Sequence, residues 1–194
     1  MSNTARVGFI GLGAMGASMA KHLHAKGLLS VVGNRTHQKA EHLARELSVT
    51  AANDFADFAG CHVVVLCVSK DEDVLQCCED LSHVLLPGSL VIDHSTVARV
   101  TAQKAYALLQ QKQIAFLDAP VSGGVEGARN GKLSVMVGGD ADVGGAVLAQ
   151  GDVELEEVAQ ALDAVEVNAG LAAKQQPARL AHASDLPVRT GQRL

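Results

Sequence analysis

Short apolar runs alternate along this chain with longer stretches in which apolar residues return at helical spacing. The runs at residues 7–10, 28–32, 49–52, 62–68, 90–94, 114–118 and 133–137 have the length and composition of strands. Between them, Met15, Met19 and Leu23 share one helix face, and Ala40, Leu43, Ala44 and Leu47 share another over about residues 36–47. Val74, Leu75, Cys78 and Leu81 mark a third helix that Pro87-Gly88 follows, and a fourth is expected over about residues 97–111. Gly27 is a natural C′ residue for the first. The run at 62–68 is nearly continuous apolar, as in a parallel strand covered on both faces, and is expected near the sheet centre. Strand and helix in alternation predict an α/β domain, a doubly wound and mostly parallel sheet with helices on both faces. The domain is expected over residues 1–150. Beyond it, Leu155, Val158, Ala159 and Leu162 give one more stripe, and then Pro177, Pro187 and scattered Arg break any period. Residues 151–194 are expected to be a divergent or truncated tail, irregular or helical at first and then disordered.

The first strand runs directly into Gly11-Leu12-Gly13-Ala14-Met15-Gly16 and then a helix. That order gives the glycines distinct tasks: the first permits a tight turn, the second admits a pyrophosphate to the backbone, and the third lets helix pack on strand. An anion would rest on the helix N-terminus, where free N–H groups and the macrodipole favour negative charge. The domain is thereby expected to be of Rossmann type, with residues 11–16 binding a dinucleotide. The second strand ends at Asn34-Arg35-Thr36, without the carboxylate that would bond a ribose 2′-hydroxyl. An Arg there suits a 2′-phosphate, so NADP is the expected cofactor and NAD the alternative. Against this, Thr36 could merely cap the next helix while Arg35 stands in solvent.

Ligands of open α/β sheets bind outside the carboxyl ends of the strands. Cys67, Val68 and Ser69 occupy such an end and are expected beside the nicotinamide half. Ser95 and Thr96 occupy the next, where cofactor contact competes with helix capping. Cys67 has no identifiable activating group, so packing is the expected role, and His94 is expected to be structural. Ser122-Gly123-Gly124 puts backbone N–H groups after a hydroxyl residue, a composition that suits a substrate carboxylate or hydroxyl, or an ordinary loop.

Charge and cysteine usage narrow the classes. A net charge of −5 offers no broad basic face for nucleic acid or anionic lipid. The cysteines at 61, 67, 77 and 78 lack metal-ligand spacing, so no metal is expected and free thiols are. No apolar stretch reaches the roughly 18 residues of a membrane span, and the N-terminus does not read as a signal peptide. The expected compartment is the cytoplasm.

The extended signature from Phe9-Ile10-Gly11 through Met19-Ala20-Lys21-His22-Leu23 resembles that of the β-hydroxyacid dehydrogenases, the family of 3-hydroxyisobutyrate dehydrogenase and tartronate semialdehyde reductase, with the dinucleotide-binding domain of 6-phosphogluconate dehydrogenase. Asp93-His94-Ser95-Thr96, Asp118-Ala119-Pro120-Val121-Ser122-Gly123-Gly124 and Met136-Val137-Gly138-Gly139 follow in the family's order, so the resemblance covers about residues 5–140. It implies hydride transfer between NAD(P)H and a small β-hydroxy acid or its semialdehyde, with Ser122, Gly123 and Gly124 holding the carboxylate. It also implies a lysine general acid/base, for which Lys174 is the candidate. Asn168 replaces one family glycine before it, and Pro177 stands where an asparagine is expected. The family's all-helical second domain, which closes the cleft and builds the homo-oligomer of full-length relatives, is expected to be missing. The alternative is a non-catalytic NADP-binding module or a truncated, inactive family member.

Overall fold

The computed structural model describes residues 6–139, and the 151–194 tail with Lys174 lies outside the described residues. Six strands, β1 (Val7–Ile10), β2 (Leu29–Gly33), β3 (Thr50–Ala51), β4 (Val63–Leu66), β5 (Leu90–Asp93) and β6 (Ala115–Asp118), form one sheet in the order β3-β2-β1-β4-β5-β6. Every neighbouring pair in it is parallel. The order reverses between β1 and β4, which makes the gap beyond their carboxyl ends a ligand crevice.

Helices α1 (Gly16–Ala25), α2 (His37–Leu47), α3 (Asp71–Ser82) and α4 (Arg99–Gln110) supply the crossovers. The apolar run of β4 sorts by strand alternation: Val63 and Val65 join one core with Met19, Leu23 and Leu43, whereas Val64 and Leu66 join the other with Val74, Leu81 and Leu109. That is why β4 reads as unbroken apolar sequence. Gly27 takes φ 75° after α1, the left-handed turn expected of a C′ glycine.

Three local features depart from the pattern. Residues 55–58 form a 3-10 turn started by Asp54, whose Oδ1 accepts from the Ala56 N–H at 2.8 Å. Its Phe58 ring fills a notch over Gly8 and Gly33, where added Cβ atoms would come within 2.6 and 2.9 Å of the ring. Next, Ser95 and Thr96 do not cap α4. Ala98 is its N-cap residue, and the carboxylate of Asp71 accepts from the Ala98 N–H and the Thr101 hydroxyl. Finally, the expected loop after Ser122 is a short helix. Gly123 (φ 129°) and Gly124 (φ 62°) turn the chain from β7 (Val121–Ser122) into α5 (Gly124–Asn130). The chain then returns as β8 (Ser134–Val135), antiparallel to β7. Seven helical residues with one buried apolar position, Ala128, leave too little period to be read from sequence.

Candidate dinucleotide site

The β1–α1 loop turns on three glycines in unlike surroundings. Gly11 holds φ 104°, and a Cβ there would come within 2.2 Å of the Cys67 carbonyl oxygen. A Cβ on Gly16 would lie 1.9 Å from the Gly11 carbonyl oxygen, so strand, loop and helix meet at backbone contact. A Cβ on Gly13 would meet nothing within 4 Å. Gly13 and Gly11 both line a cavity of about 410 Å³, in the size range of a small-ligand site. The first turn of α1 carries no acidic side chain, so nothing there opposes an anion at its N-terminus.

That cavity gathers the ends of β1, β2 and β4. Gly11, Gly13, Asn34, Arg35 and Thr36 line it, together with Cys67, Val68 and Ser69 from the β4 end. The loops are cross-tied: the Leu12 N–H donates to Asn34 Oδ1 at 2.8 Å, and Asn34 Nδ2 donates to the Thr36 carbonyl at 3.0 Å. Asn34 thus fixes the β1–α1 loop against the turn after β2. Arg35 Nη1 lies 3.0 Å from both carboxylate oxygens of Asp73 on α3. Lys39, one turn into α2 from Thr36, lines the cavity with them. The spacing from Thr36 to Lys39 could have pointed to this cation, whereas nothing in the sequence pairs Arg35 with Asp73, 38 positions away.

Leu12, Ala14, Met15 and Gly16 are not among the lining residues; Leu12 and Gly16 are buried in the packing of the loop. Ser95 is buried too, and its hydroxyl accepts from the Val68 N–H at 2.9 Å, which sets the position of the β4 end. Thr96 is exposed, and Ser122, Gly123 and Gly124 do not line the cavity. Their segment is pinned to the main sheet nevertheless: Asp118 and Gly138 exchange backbone hydrogen bonds at 2.9 and 2.7 Å, and His22 Nε2 on α1 lies 3.0 Å from the Ala128 carbonyl.

At the β5 end, His94 Nδ1 is 2.6 Å from the Ala119 carbonyl. A carbonyl only accepts, so Nδ1 carries the proton, and the buried Nε2 has no partner among the described residues. Burial drives the His94 pKa down to about 4, which keeps the ring neutral and structural. Asp93 beside it is fully buried, with Oδ1 accepting from the Ser95 N–H and Oδ2 without a partner among the described residues. Its pKa rises to about 6, first through burial. The Cys67 thiol is pushed up to about 11 by burial, which leaves it protonated near neutrality and a poor nucleophile. All four cysteines are free, and among the described residues no His, Cys, Asp or Glu group could hold a metal ion. No helix among them is long and apolar enough to cross a membrane.

Residues 6–170 match the family model described as the NAD binding domain of 6-phosphogluconate dehydrogenase. An uncharacterized oxidoreductase of Shewanella frigidimarina is 41% identical over 140 residues, covering 70% of this chain and 48% of that protein. An NAD-dependent L-serine dehydrogenase of Pseudomonas aeruginosa is 38% identical over 141 residues, 71% of this chain and 47% of the relative. The solved 3-hydroxyisobutyrate dehydrogenase of Mycobacterium tuberculosis, with L-serine, superposes with a TM-score of 0.72 at 29% identity. That match covers 84% of this chain and 53% of the other. The chain thus spans about half the length of the relatives it matches. A glycine turn, a reversal of strand order beside it and a sequence match over most of the described residues agree, and the chain belongs to the oxidoreductase family of 6-phosphogluconate dehydrogenase and 3-hydroxyisobutyrate dehydrogenase, whose NAD(P)-binding domain it carries.

Proposed function

We propose that this chain binds NADP(H) in the cavity beyond β1, β2 and β4 and serves hydride transfer to or from a small β-hydroxy acid or its semialdehyde. The observation that carries the cofactor choice is the β2 end: Arg35 and Lys39 line the cavity there, and Asn34 stands in the place of a ribose-binding carboxylate. The NAD dependence of the Pseudomonas relative is that protein's own. Within the 11–16 turn the Gly11 N–H donates to the Gly33 carbonyl and the Leu12 N–H to Asn34 Oδ1, so the backbone N–H groups from Gly13 onward hold the pyrophosphate, while Cys67, Val68 and Ser69 border the nicotinamide, with Ser95 and Thr96 at the neighbouring strand end. The open side of Gly13 is the feature that fits the group, since it leaves backbone accessible where a side chain would stand.

A nicotinamide bound there would supply or accept the hydride. In the oxidative direction Lys174 Nζ takes the hydroxyl proton as the C–H electron pair leaves with the hydride; in reduction it returns the proton to the carbonyl oxygen. Ser122, Gly123 and Gly124 hold the substrate carboxylate by N–H and hydroxyl donation. Titration followed by nucleotide fluorescence is expected to show tighter binding of NADPH than of NADH, with the order reversed in Arg35→Asp. NADPH oxidation with a panel of short semialdehydes is expected to be lost in Lys174→Ala. Tight NADPH binding without turnover would reject the catalytic half and leave a dinucleotide-binding module. An unchanged nucleotide preference in Arg35→Asp would reject the NADP assignment.

A further inference from the structure

The cavity that gathers Arg35 and Lys39 also carries Asp54, Asp73 and Asp80, three carboxylates to two cations. One of the three engages the guanidinium directly. Arg35 Nη1 sits 3.0 Å from both oxygens of Asp73, in a pair whose arginine side chain is 77% exposed and whose carboxylate is 28% exposed. Asp73 is held there by more than this contact. It lies in the first turn of α3 with Asp71 and Glu72, where the helix N-terminus favours negative charge. The carboxylate is therefore the anchored member, and the exposed arginine is the one that reaches to it.

We infer that Asp73 is a specificity-determining residue that restrains the preference for a 2′-phosphorylated dinucleotide by occupying Arg35. This rests on the assignment of the β2 end to the cofactor's adenosine ribose. A phosphate entering beside Arg35 has to displace the carboxylate or share the guanidinium with it, and sharing places two anions side by side. A ribose with a free 2′-hydroxyl meets no such opposition. The carboxylate thus lowers affinity for NADPH and leaves NADH almost untouched, so the chain discriminates between the two less than its arginine alone would.

The test is a fluorescence titration of NADPH and NADH against the whole chain, its Asp73→Asn and Asp73→Ser variants, Arg35→Gln, and the double variant, with thermal melts to confirm folding. Asp73→Asn is expected to tighten NADPH about threefold to fivefold at low salt, the range of a well-aligned surface pair, and to shift NADH less than about twofold. The gain should shrink at about 0.5 M salt, where exposed charges are screened. Asp73→Ser should behave alike, and in the Arg35→Gln background the gain should vanish. An unchanged NADPH to NADH ratio in Asp73→Asn, while Arg35→Gln lowers that ratio, overturns the inference and spares the cofactor assignment. A weaker NADPH complex in Asp73→Asn overturns it as well, because the carboxylate would then be aiming the arginine at the phosphate. If Arg35→Gln leaves the ratio unchanged, both fall.

Discussion

A Cβ placed on Gly16 would sit 1.9 Å from the Gly11 carbonyl oxygen, and one placed on Gly13 would touch nothing. The two glycines therefore differ: one is closed in by backbone, and the other leaves open space beside the loop. Gly16→Ala is expected to cost about 3 kcal/mol of stability, because backbone rather than a flexible side chain has to move. Gly13→Ala should change stability by no more than about 0.5 kcal/mol, yet weaken NADPH binding about tenfold by filling the approach to the loop N–H groups. Denaturant melts and nucleotide titration on both variants check this, and wild-type affinity in Gly13→Ala would remove the phosphate from that side of the loop. The spacing of the glycines was legible in the sequence. Which of them is closed in was not, because that depends on Cys67, which a separate strand brings up behind Gly11. Asn34 was equally hidden: its place at a strand end is plain, but its bond to Leu12 crosses 22 positions.

Among elements, the end of β5 holds two buried titratable groups that respond to pH in opposite senses. Asp93 has its pKa raised to about 6, so its protonated form favours the fold. The stability it lends is present in full at acid pH and is lost as pH rises through about 6. His94 has its pKa lowered to about 4, so the fold favours the neutral ring, and stability is gained as pH climbs from about 4 towards the unfolded value near 6.5. Over about pH 4 to 6 the two oppose each other. Asp93→Asn, which retains an oxygen for the Ser95 N–H, should unmask the histidine and steepen the rise in stability by about 2 kcal/mol across that window. Urea melts at a series of pH values give the comparison, and parallel curves for the two proteins would contradict it. The strands themselves were readable, since burial on both faces writes a continuous apolar run such as 63–66. Elements fixed by single polar contacts were not. The cap of α4 comes from Asp71 at the head of α3, and the 3-10 turn depends on Asp54 and on two distant glycines that make room for Phe58.

At the scale of the molecule, a parallel sheet with its order reversing between β1 and β4 gathers residues from three loops into one cavity. Alternating strand and helix signals made that architecture legible, and the glycine signature made its family legible. The segments that the family resemblance assigns to substrate were less so. Ser122–Gly124 leads into a short helix pinned to α1 through Ala128, away from the cavity lining, and Lys174 lies outside the described residues. The tie between Leu12 and Asn34 bears on how the two halves of a dinucleotide are received. One side chain ties the β1–α1 loop to the turn after β2, so a fragment that settles either has already met part of the entropic cost of settling the other. Adenosine 2′,5′-bisphosphate and nicotinamide mononucleotide should accordingly bind with positive coupling, each tightening the other about twofold to fivefold. In Asn34→Ala the two fragments should bind independently, and calorimetric titration of each in the presence of the other measures the difference.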